Sequence, residues 1–427
     1  MKTMKLHCLL LSGLVAGVFA AEALAQSATS IPVGQLEART GPTSPVGAVY
    51  AKGVADAIRY INEQGGVDGK QITLETEDYG YDSARAAAIY DQWLNTLKPV
   101  VIQGWGTADT EALVDDVARD EIVYMSGSSA GELTDPTGRS PHTPFAAPYN
   151  FFYGPSYSDG CRGLIQWAAQ DWKRTGGAQR STFLEALHRP KFVYMGDNHP
   201  YPNAPRAACT DYARELGFEI LSPIRYPLSP GDFSQQCRQL QQAGAHYAFL
   251  ANTAESNIAL LQACAKEGVT TQFMTNIYGW DEDAARTAGD VGNGVVWVVS
   301  AARWGESVPG MALVKDIAAM SDSANESRPT VHYIRGVCSA YFMRDAMAEA
   351  ANLGGITGPN IKKAFEQMRD HVPEGLDGVC LPSTWTEDDH RGTTTVMIYR
   401  SVYNYGNVTA DKIYTTQLPL RPDWLGW

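Results

Sequence analysis

After its first 25 positions the sequence lacks any run of about 18 apolar residues, the length that a membrane-spanning helix needs. It is also poor in basic charge, because 47 Asp and Glu residues outnumber 34 Lys and Arg residues and the formal net charge is -13. No basic stripe, C-x-x-C pair, low-complexity segment or solenoid repeat is present. These absences disfavour nucleic acid, anionic membrane surfaces, membrane insertion, zinc and dithiol redox chemistry.

The first residues predict a cleaved signal peptide over residues 1–25. Lys2 and Lys5 form a basic start, Leu9 to Ala21 form an apolar segment, and Ala23 to Ala25 form a small-residue cleavage site. Such segments are removed during export and take no part in the mature fold. We therefore expect an exported protein.

Six cysteines remain in the mature chain, and an even count in an exported chain favours disulfides. Fifteen pairings are possible. Cys237 and Cys264 fall on consecutive predicted helices that flank one strand, which favours pairing of sequence neighbours; some buried free thiols are the alternative. The expected pairs are Cys161–Cys209, Cys237–Cys264 and Cys338–Cys380.

About 400 mature residues exceed what one compact core usually holds, so two lobes are expected. Strand and helix patterns alternate first through Ile31–Leu36, Ala48–Glu63, Gln71–Glu77 and Ala84–Leu97. Alternation resumes at Lys191–Met195, Ala204–Leu216, Phe218–Tyr226, Asp232–Ala243, Tyr247–Ala251, Ala254–Glu267 and Gln272–Asn276. This order predicts an α/β fold with doubly wound parallel sheets.

The lobe boundaries are predicted from breaks in this alternation. A Pro-rich, aromatic stretch at residues 136–155 predicts a first crossing, and the apolar strand Gly294–Ser300 lies near a second. Helices at Val331–Ala351 and Gly358–Met368 follow, and Thr393–Tyr399 alternates like an antiparallel or edge strand. We expect an N-terminal lobe of residues 26–145 plus 300–380 and a C-terminal lobe of residues 146–299 plus 381–427.

The segment Pro99–Thr134 is the part of the chain most indicative of a site. A strand at Val100–Ile102 ends in Gly-Trp-Gly-Thr, a helix spans Ala108–Arg119, and a strand at Ile122–Met125 ends in Ser-Gly-Ser-Ser. Parallel packing brings both polar loops to the carboxyl ends of neighbouring strands, where open α/β sheets bind ligands. Trp105 offers a flat surface there, although a buried structural indole is the alternative.

The chain resembles the periplasmic substrate-binding proteins of ABC importers, in the branched-chain amino-acid type with the type I periplasmic binding fold. The likeness covers nearly the whole mature chain and depends on the order and spacing of several short motifs. They are GPTSPVG at 41–47, GGVDGK at 65–70, SGSSAGELT at 126–134, GDNHPY at 196–201, TQFMTN at 271–276, AGDVGNGV at 288–295 and TWTEDD at 384–389.

This resemblance implies two lobes joined by three crossings, which close on a small ligand and then dock on a membrane permease. It places ligand contacts in the first lobe at Trp105, Gly106, Thr107, Ser128 and Ser129. In the second lobe it places Tyr201 opposite them, with Pro202 where the family usually has Gly, and it adds Asn252, Tyr278 and Trp280 to the far wall.

Departures from the family indicate the ligand class. Amino-acid binders have aromatic residues near Val46 and Asn252 and an acidic residue near Tyr278 that holds the ligand ammonium, and this sequence has none of them. Burying an ammonium without a carboxylate costs several kcal/mol. With Tyr278 and Trp280 adding ring surface beside Trp105, we expect an aromatic or largely apolar organic acid. A branched-chain amino acid remains the alternative.

The resulting hypothesis is a periplasmic, monomeric solute-binding protein that delivers its ligand to an ABC importer. Its ligand oxygens would meet Thr107, Ser128 and Ser129. Its function requires no catalytic residue, metal or cofactor. A ligand-sensing receptor is a rival, although it would need an anchor or partner domain that the sequence lacks.

Other motifs have competing interpretations. Gly127–Gly131 matches the G-x-S-x-G nucleophile elbow of serine hydrolases, but a Pro-rich loop follows it instead of a helix. Asp281–Asp283 and Glu387–His390 resemble metal ligands, although such charge runs are usually solvated. Asp197–His199 resembles a catalytic group but fits capping and turn formation equally well.

Overall fold

A computed structural model describes residues 30–143, 145–175, 189–322 and 329–427. The predicted signal peptide, residues 1–25, lies outside these described residues. Two sheets, one parallel and one mainly parallel, are each packed between helices and organise the chain. We call them the first and second sheets, and the elements packed on each form the first and second lobes.

The first sheet has the strand order β2-β1-β3-β4-β5 and is parallel throughout. Its strands are β1 (Ser30–Glu37), β2 (Gln71–Asp78), β3 (Val101–Gln103), β4 (Val123–Met125) and β5 (Asn150–Phe151). Val33 pairs with Val101, which pairs with Val123. This register aligns the carboxyl ends of β3 and β4, as the sequence predicts.

Helices between these strands follow the predicted pattern. They are α1 (Ser44–Glu63), α2 (Ser83–Asn95) and α3 (Thr107–Arg119). Helix α1 begins four residues before the predicted Ala48, because Pro45 is compatible with the first helical turn. The Asp82 carboxylate caps α2 by accepting from two backbone N–H groups.

The second sheet has the order β15-β14-β11-β10-β9-β6-β7, and β8 also pairs with β6. Its strands are β6 (Lys191–Gly196), β7 (Glu219–Ile220), β8 (Ile224–Arg225), β9 (Tyr247–Leu250), β10 (Gln272–Thr275), β11 (Val296–Val299), β14 (Thr395–Asn404) and β15 (Asn407–Gln417). The antiparallel pairing of β14 confirms the prediction for Thr393–Tyr399. The single strand predicted at Phe218–Tyr226 is wrong, because β7 and β8 are separated by a segment that contains Pro223.

Helices of the second lobe are α4 (Tyr157–Thr175), α5 (Pro200–Asn203), α6 (Arg206–Glu215), α7 (Ser234–Ala243), α8 (Ala254–Lys266) and α9 (Glu282–Ala288). The chain then forms α10 (Met311–Ala319), α11 (Val331–Asn352), α12 (Gly358–Gln367), β12 (Thr384–Thr386) and β13 (Asp389–Gly392). Helix α11 packs along α1, and α12 packs against β4 and β12, so this segment belongs to the first lobe.

The chain passes between the sheets three times: after β5, after β11 and between β13 and β14. These crossings differ from the predicted boundaries at two places. Strand β5 pairs with β4 in the first sheet, beyond residue 145. Strands β12 and β13 lie beyond residue 380 yet pack with α12 and β5. Short strands of this kind carry too weak a periodicity to be assigned from sequence.

The three disulfides join the neighbours expected from the sequence. They are Cys161–Cys209, Cys237–Cys264 and Cys338–Cys380. The first two lie in the second lobe, whereas the third ties α11 to the loop before β12. None of the described helices is long and apolar enough to cross a membrane.

Candidate functional site

The loop after β3 is held by one buried carboxylate. Asp109, in the first turn of α3, accepts from the backbone N–H of Trp105 at 3.1 Å and of Gly106 at 2.7 Å, and from the hydroxyls of Tyr79 and Tyr124. Burial raises the pKa of the Asp109 carboxyl, and these hydrogen bonds oppose the shift. Since its oxygens are occupied by the protein, Asp109 positions the loop.

The two glycines around Trp105 are required by close packing within the protein. A Cβ atom on Gly104 would lie 2.1 Å from the Tyr124 ring, and one on Gly106 would lie 2.2 Å from the Tyr81 ring. Both distances are far inside van der Waals contact. The glycines therefore allow the loop to pack closely against tyrosines of the first lobe. This packing explains the two glycines without any contact between the backbone and a ligand.

Trp105 connects the two lobes. Its indole Nε1 donates to Thr43 Oγ1 at 3.0 Å, and its ring lies 5.4 Å from the Tyr50 ring. From the second lobe, the Tyr278 ring approaches it edge-on with centroids 4.9 Å apart. The Tyr278 hydroxyl donates to the backbone carbonyl of Gly127. Trp105 thus forms part of an aromatic wall that spans the cleft between the lobes.

Three hydroxyl side chains of the first lobe lie together after β3 and β4. The Oγ atoms of Thr107 and Ser128 are 2.8 Å apart, and both residues are fully buried. Ser129 is also buried, and its Oγ atom has no hydrogen-bond partner within the described chain. Of the three, Ser129 is therefore the hydroxyl that remains available to another molecule.

Tyr201 lies beside the other aromatic residues of the second lobe, and its role as a ligand contact stays a prediction. Its ring lies 5.8 Å from Tyr278 and 5.3 Å from Tyr157, which begins α4. The Tyr201 hydroxyl is buried and unpaired in the described residues. Burial raises the pKa of this phenol well above 10, so it remains a neutral donor.

Asn252 and Trp280, two expected ligand contacts, form hydrogen bonds within the second lobe. The Asn252 amide nitrogen donates to the carbonyls of Tyr226 and Pro227, and its oxygen accepts from Asp197 N–H. The Trp280 Nε1 atom donates to Ser401 Oγ at 2.7 Å, within the second lobe. The polar atoms of both side chains are thus engaged by the protein, and the ring contact predicted for Trp280 and the ligand contact predicted for Asn252 stay predictions.

Sequence reasoning missed Arg335 and His332 on α11. Each is about 1% exposed, and the Arg335 guanidinium carbon lies 4.4 Å from the centre of the Tyr278 ring. The His332 and Tyr278 rings are 5.4 Å apart. The sequence did contain a usable signal, because residues 331–343 (VHYIRGVCSAYFM) are mostly apolar on every side of a helix and a charged residue within such a helix needs a partner.

The electrostatics of this region are unusual for a protein interior. Burial lowers the pKa of the Arg335 guanidinium, while Tyr278, Tyr50 and Tyr157 act in the opposite direction and make the net shift upward. Burial, with Arg335 adding to it, lowers the pKa of His332 well below 6.5. Arg335 is therefore a buried cation beside a neutral imidazole.

The serine-hydrolase motif lacks the geometry of an elbow. A 3₁₀ helix at Gly131–Leu133 follows Ser129 where an α-helix would be needed. Within the described residues, no imidazole is hydrogen-bonded to Ser129 Oγ. Nucleophilic activation requires such a base within hydrogen-bond reach.

The acidic runs bind the protein's own groups. Asp281 caps α9 by accepting from Ala284 N–H at 2.7 Å, and Glu282 accepts from Val331 N–H at 3.0 Å. His390 contacts the Asn150 carbonyl and the Glu366 carboxylate. No cluster of three or more His, Cys, Asp or Glu side chains suited to a metal occurs in the described part of the chain.

Two α/β lobes that meet over a buried aromatic and polar cleft define a two-lobed ligand-binding protein. A family model described as periplasmic binding protein matches residues 30–406, and the chain belongs to that family. Its architecture is that of type I periplasmic binding proteins and resembles the branched-chain amino-acid type.

Individual relatives are distant. The Leu/Ile/Val-binding protein homolog 4 of Brucella abortus is 24% identical over 270 residues, which are 60% of this chain and 58% of the relative. The match thus spans little more than half of that relative's length. An ABC transporter substrate-binding protein of Aeropyrum pernix is 25% identical, with a TM-score of 0.79 over 93% of this chain and 98% of that one.

Two solved structures with the same fold contain ligands. A branched-chain amino-acid ABC transporter protein of Thermus thermophilus, with bound valine, is 21% identical, with a TM-score of 0.77 over 92% and 97% of the two chains. A solute-binding protein of Rhodopseudomonas palustris BisB5, in complex with 3,4-dihydroxybenzoic acid, is 15% identical, with a TM-score of 0.71 over 91% and 98%. At these identities the likeness establishes the fold only.

Proposed function

We propose that this protein is the periplasmic solute-binding component of an ABC importer and that it captures an aromatic or largely apolar organic acid. The observation that carries the proposal is the cleft wall, to which both lobes contribute buried rings. Trp105 comes from the first lobe, and Tyr157, Tyr201 and Tyr278 come from the second. Aromatic rings stabilise a flat apolar ligand body, and a few polar groups orient it.

Binding and delivery follow from lobe closure. A ligand that contacts both lobes stabilises the closed state by its additional interactions there and so shifts the population toward it. The hydroxyls of Ser129 and Tyr201 belong to opposite lobes, are buried and have no partner in the described residues, and we assign them hydrogen bonds to one bound molecule. Docking of the closed form on a membrane permease completes the proposed cycle without catalysis or a cofactor.

A branched-chain amino acid is the second candidate, favoured by the hydroxyl-lined loops after β3 and β4 and by the Brucella relative. The neighbours with valine and with dihydroxybenzoic acid show that the fold accepts either ligand class. The carboxylates near this cleft argue against an ammonium group, because Asp109 is saturated by four donors and Asp281 caps a helix. An organic acid therefore fits better.

A thermal-shift screen tests the proposal. Purified protein is combined with benzoate-type acids, aliphatic acids and free amino acids, each at about 100 times its dissociation constant where binding occurs. For a protein of about 400 residues, we expect an aromatic acid to raise the melting temperature by about 3–4 °C, equivalent to about 2.7 kcal/mol.

The Trp105→Phe variant should lose part of that shift and the associated change in tryptophan fluorescence. Trp304→Phe is the matched control, because Trp304 is a partly buried indole that packs against Tyr333 of the first lobe. Strong stabilisation by leucine, without stabilisation by any acid, would contradict the proposed ligand class. Equal effects of the two tryptophan variants would contradict the proposed site.

A further inference from the structure

Helix α11 places two polar side chains one turn apart on the side that faces the cleft. His332 and Arg335 are separated by three positions, so they share a face of the helix. Both lie against the Tyr278 ring, which comes from the second lobe. The helix itself packs on α1 of the first lobe. Arg335 and His332 are therefore at the contact between the lobes.

These two side chains have polar atoms without partners. The Nε and Nη1 atoms of Arg335 and both ring nitrogens of His332 are buried and accept or donate no hydrogen bond within the described residues. The nearest carboxylate oxygen to His332, Asp281 Oδ2, is 3.7 Å from Nε2 and is too far for a hydrogen bond. A buried cation with unpaired donors is costly unless another molecule supplies the missing acceptor.

The surroundings of Arg335 provide rings but no counter-charge. The guanidinium lies over Tyr278 at 4.4 Å and over Tyr50 at 5.9 Å, and Tyr153 and Tyr157 are also close enough to influence it. Burial raises the pKa of all four phenols above 10, so each is neutral at ordinary pH. In the described chain, Arg335 forms no ion pair with Asp or Glu. Cation–π contacts and a side-chain hydrogen bond with Tyr278 favour the guanidinium, but its Nε and Nη1 donors remain without a partner in the described residues.

We propose that Arg335 binds the carboxylate of the ligand and that the cleft therefore selects an organic anion without an ammonium group. A guanidinium presents paired N–H donors that match the two oxygens of a carboxylate. His332 supplies a further hydrogen bond to the same group. This inference rests on the proposed function and changes the expected orientation, because the acid end faces α11 and not the hydroxyls of Thr107 and Ser128.

The first-lobe hydroxyls are consistent with that orientation. Thr107 and Ser128 are hydrogen-bonded to each other, which reduces what they can offer to an anion. A free amino acid would place its ammonium near Arg335 or near a carboxylate already engaged by the protein. Either placement is unfavourable, so the cleft discriminates against zwitterions by charge.

Calorimetric titration of acids and their neutral amides tests this inference. The probes are benzoate, 4-hydroxybenzoate and phenylacetate, each compared with the corresponding primary amide, with phenylalanine and leucine as zwitterions. We expect the wild-type protein to bind at least one acid about 100-fold more tightly than its amide. The Arg335→Gln variant should lose about 100-fold in affinity for the acid and bind acid and amide about equally.

Two further variants separate charge from folding. Arg335→Lys keeps the charge but lacks the paired donors, and we expect it to retain part of the acid preference, with affinity about 10-fold below wild type. Arg344→Gln is the matched control on the same helix, because Arg344 forms an ion pair with Asp345. It should bind every probe as wild type does. Urea unfolding of each ligand-free variant confirms that the fold is retained.

The outcomes distinguish this inference from the proposed function. Acid affinity within threefold of wild type in Arg335→Gln would overturn the role of Arg335 while leaving solute binding in the cleft intact. Binding of amides or zwitterions in preference to acids would overturn the anion selectivity but not the solute-binding function. If no probe of any class bound the folded wild-type protein, both proposals would be rejected.

Discussion

Two arginines, one in each lobe, are among the largest fully buried side chains, and their partners differ. Arg162 on α4 binds Asp159 at 2.8 Å, donates to the Trp427 carbonyl and lies 4.2 Å from the Trp424 ring. Arg335 on α11 contacts aromatic rings but no carboxylate and leaves Nε and Nη1 unpaired, whereas Arg162 leaves only Nε unpaired in the described residues. A buried charge with its own carboxylate contributes to the fold, whereas one without a partner indicates a ligand site.

The largest expected effect concerns stability. The Arg162→Gln variant leaves the buried Asp159 carboxylate without its cation, and we expect a loss of about 3–5 kcal/mol in the free energy of unfolding. Arg335→Gln removes a charge that has no protein counter-ion, so the ligand-free protein should change by less than about 1 kcal/mol. Urea unfolding measures both. Similar losses of stability in the two variants would contradict the assignment of a structural role to Arg162 and a ligand-binding role to Arg335.

Two of the disulfides allow a second test of the same comparison. Each of the two arginines lies on a helix that also carries a disulfide-bonded cysteine. Cys161 is adjacent to Arg162, and Cys338 is one turn after Arg335. We expect removal of either bridge by paired Cys→Ser substitution to cost about 2–4 kcal/mol of stability. Only loss of Cys338–Cys380 should also weaken binding of a carboxylate, since α11 carries Arg335.

Calorimetry on the two double variants, at a temperature where both remain folded, provides this measurement. The Cys161–Cys209 variant serves as the control for general destabilisation. Equal weakening of ligand binding in both would mean that the Cys338–Cys380 bridge has no particular influence on the site.

The smallest expected effect is on the pH dependence of stability and comes from two neighbouring acidic side chains. Glu111 and Glu132 lie together in the first lobe, and burial followed by the Glu132 charge raises the pKa of Glu111 to about 8. Burial also raises the pKa of Glu132. The folded protein therefore retains protons that the unfolded chain releases near pH 4.5, and stability decreases as pH rises from about 4.5 to 8.

Glu111→Gln should reduce that decrease by at most about 1–2 kcal/mol, because Glu111 is partly exposed and solvent screens the interaction. Unfolding free energies at pH 5 and pH 8 measure the difference. Glu282, whose pKa is raised to about 7 by burial, contributes to the same decline, so only the part lost on substitution belongs to Glu111. The exposed Glu63→Gln variant is the control, and an unchanged slope in Glu111→Gln would contradict the assignment.

Local patterns predicted most of the fold. The alternation of strands and helices, the antiparallel β14 and the cysteine pairing all follow from short-range periodicity or spacing. Trp105 and Tyr278 follow strands of different sheets, and their proximity agrees with the two facing lobes that the family resemblance implies. Short strands such as β5 and β8 were missed or merged with a neighbour, because a strand of two residues is too short to show an alternation of apolar and polar residues.

Polar side chains were harder to interpret, and Asn252 and Arg335 illustrate the reason. In the sequence, Asn252 resembles a ligand contact at a strand end and Arg335 resembles an ordinary helical charge. In the structure, Asn252 is saturated by the backbone of a neighbouring loop and Arg335 faces the other lobe with free donors. Hydrogen-bond saturation depends on groups far away along the chain, which no local pattern specifies.

The sequence by itself determined the parallel α/β architecture, the two lobes and a polar, aromatic loop pair at one sheet edge, since these depend on residue type and period. The tertiary structure decided which buried groups are satisfied internally and which remain for a ligand. That distinction arises because α11, about 200 residues after the segment Pro99–Thr134, packs against α1 and brings Arg335 beneath Tyr278. A charged side chain becomes a ligand-binding group when it is buried away from water and the protein provides no counter-ion or hydrogen-bond partner for it.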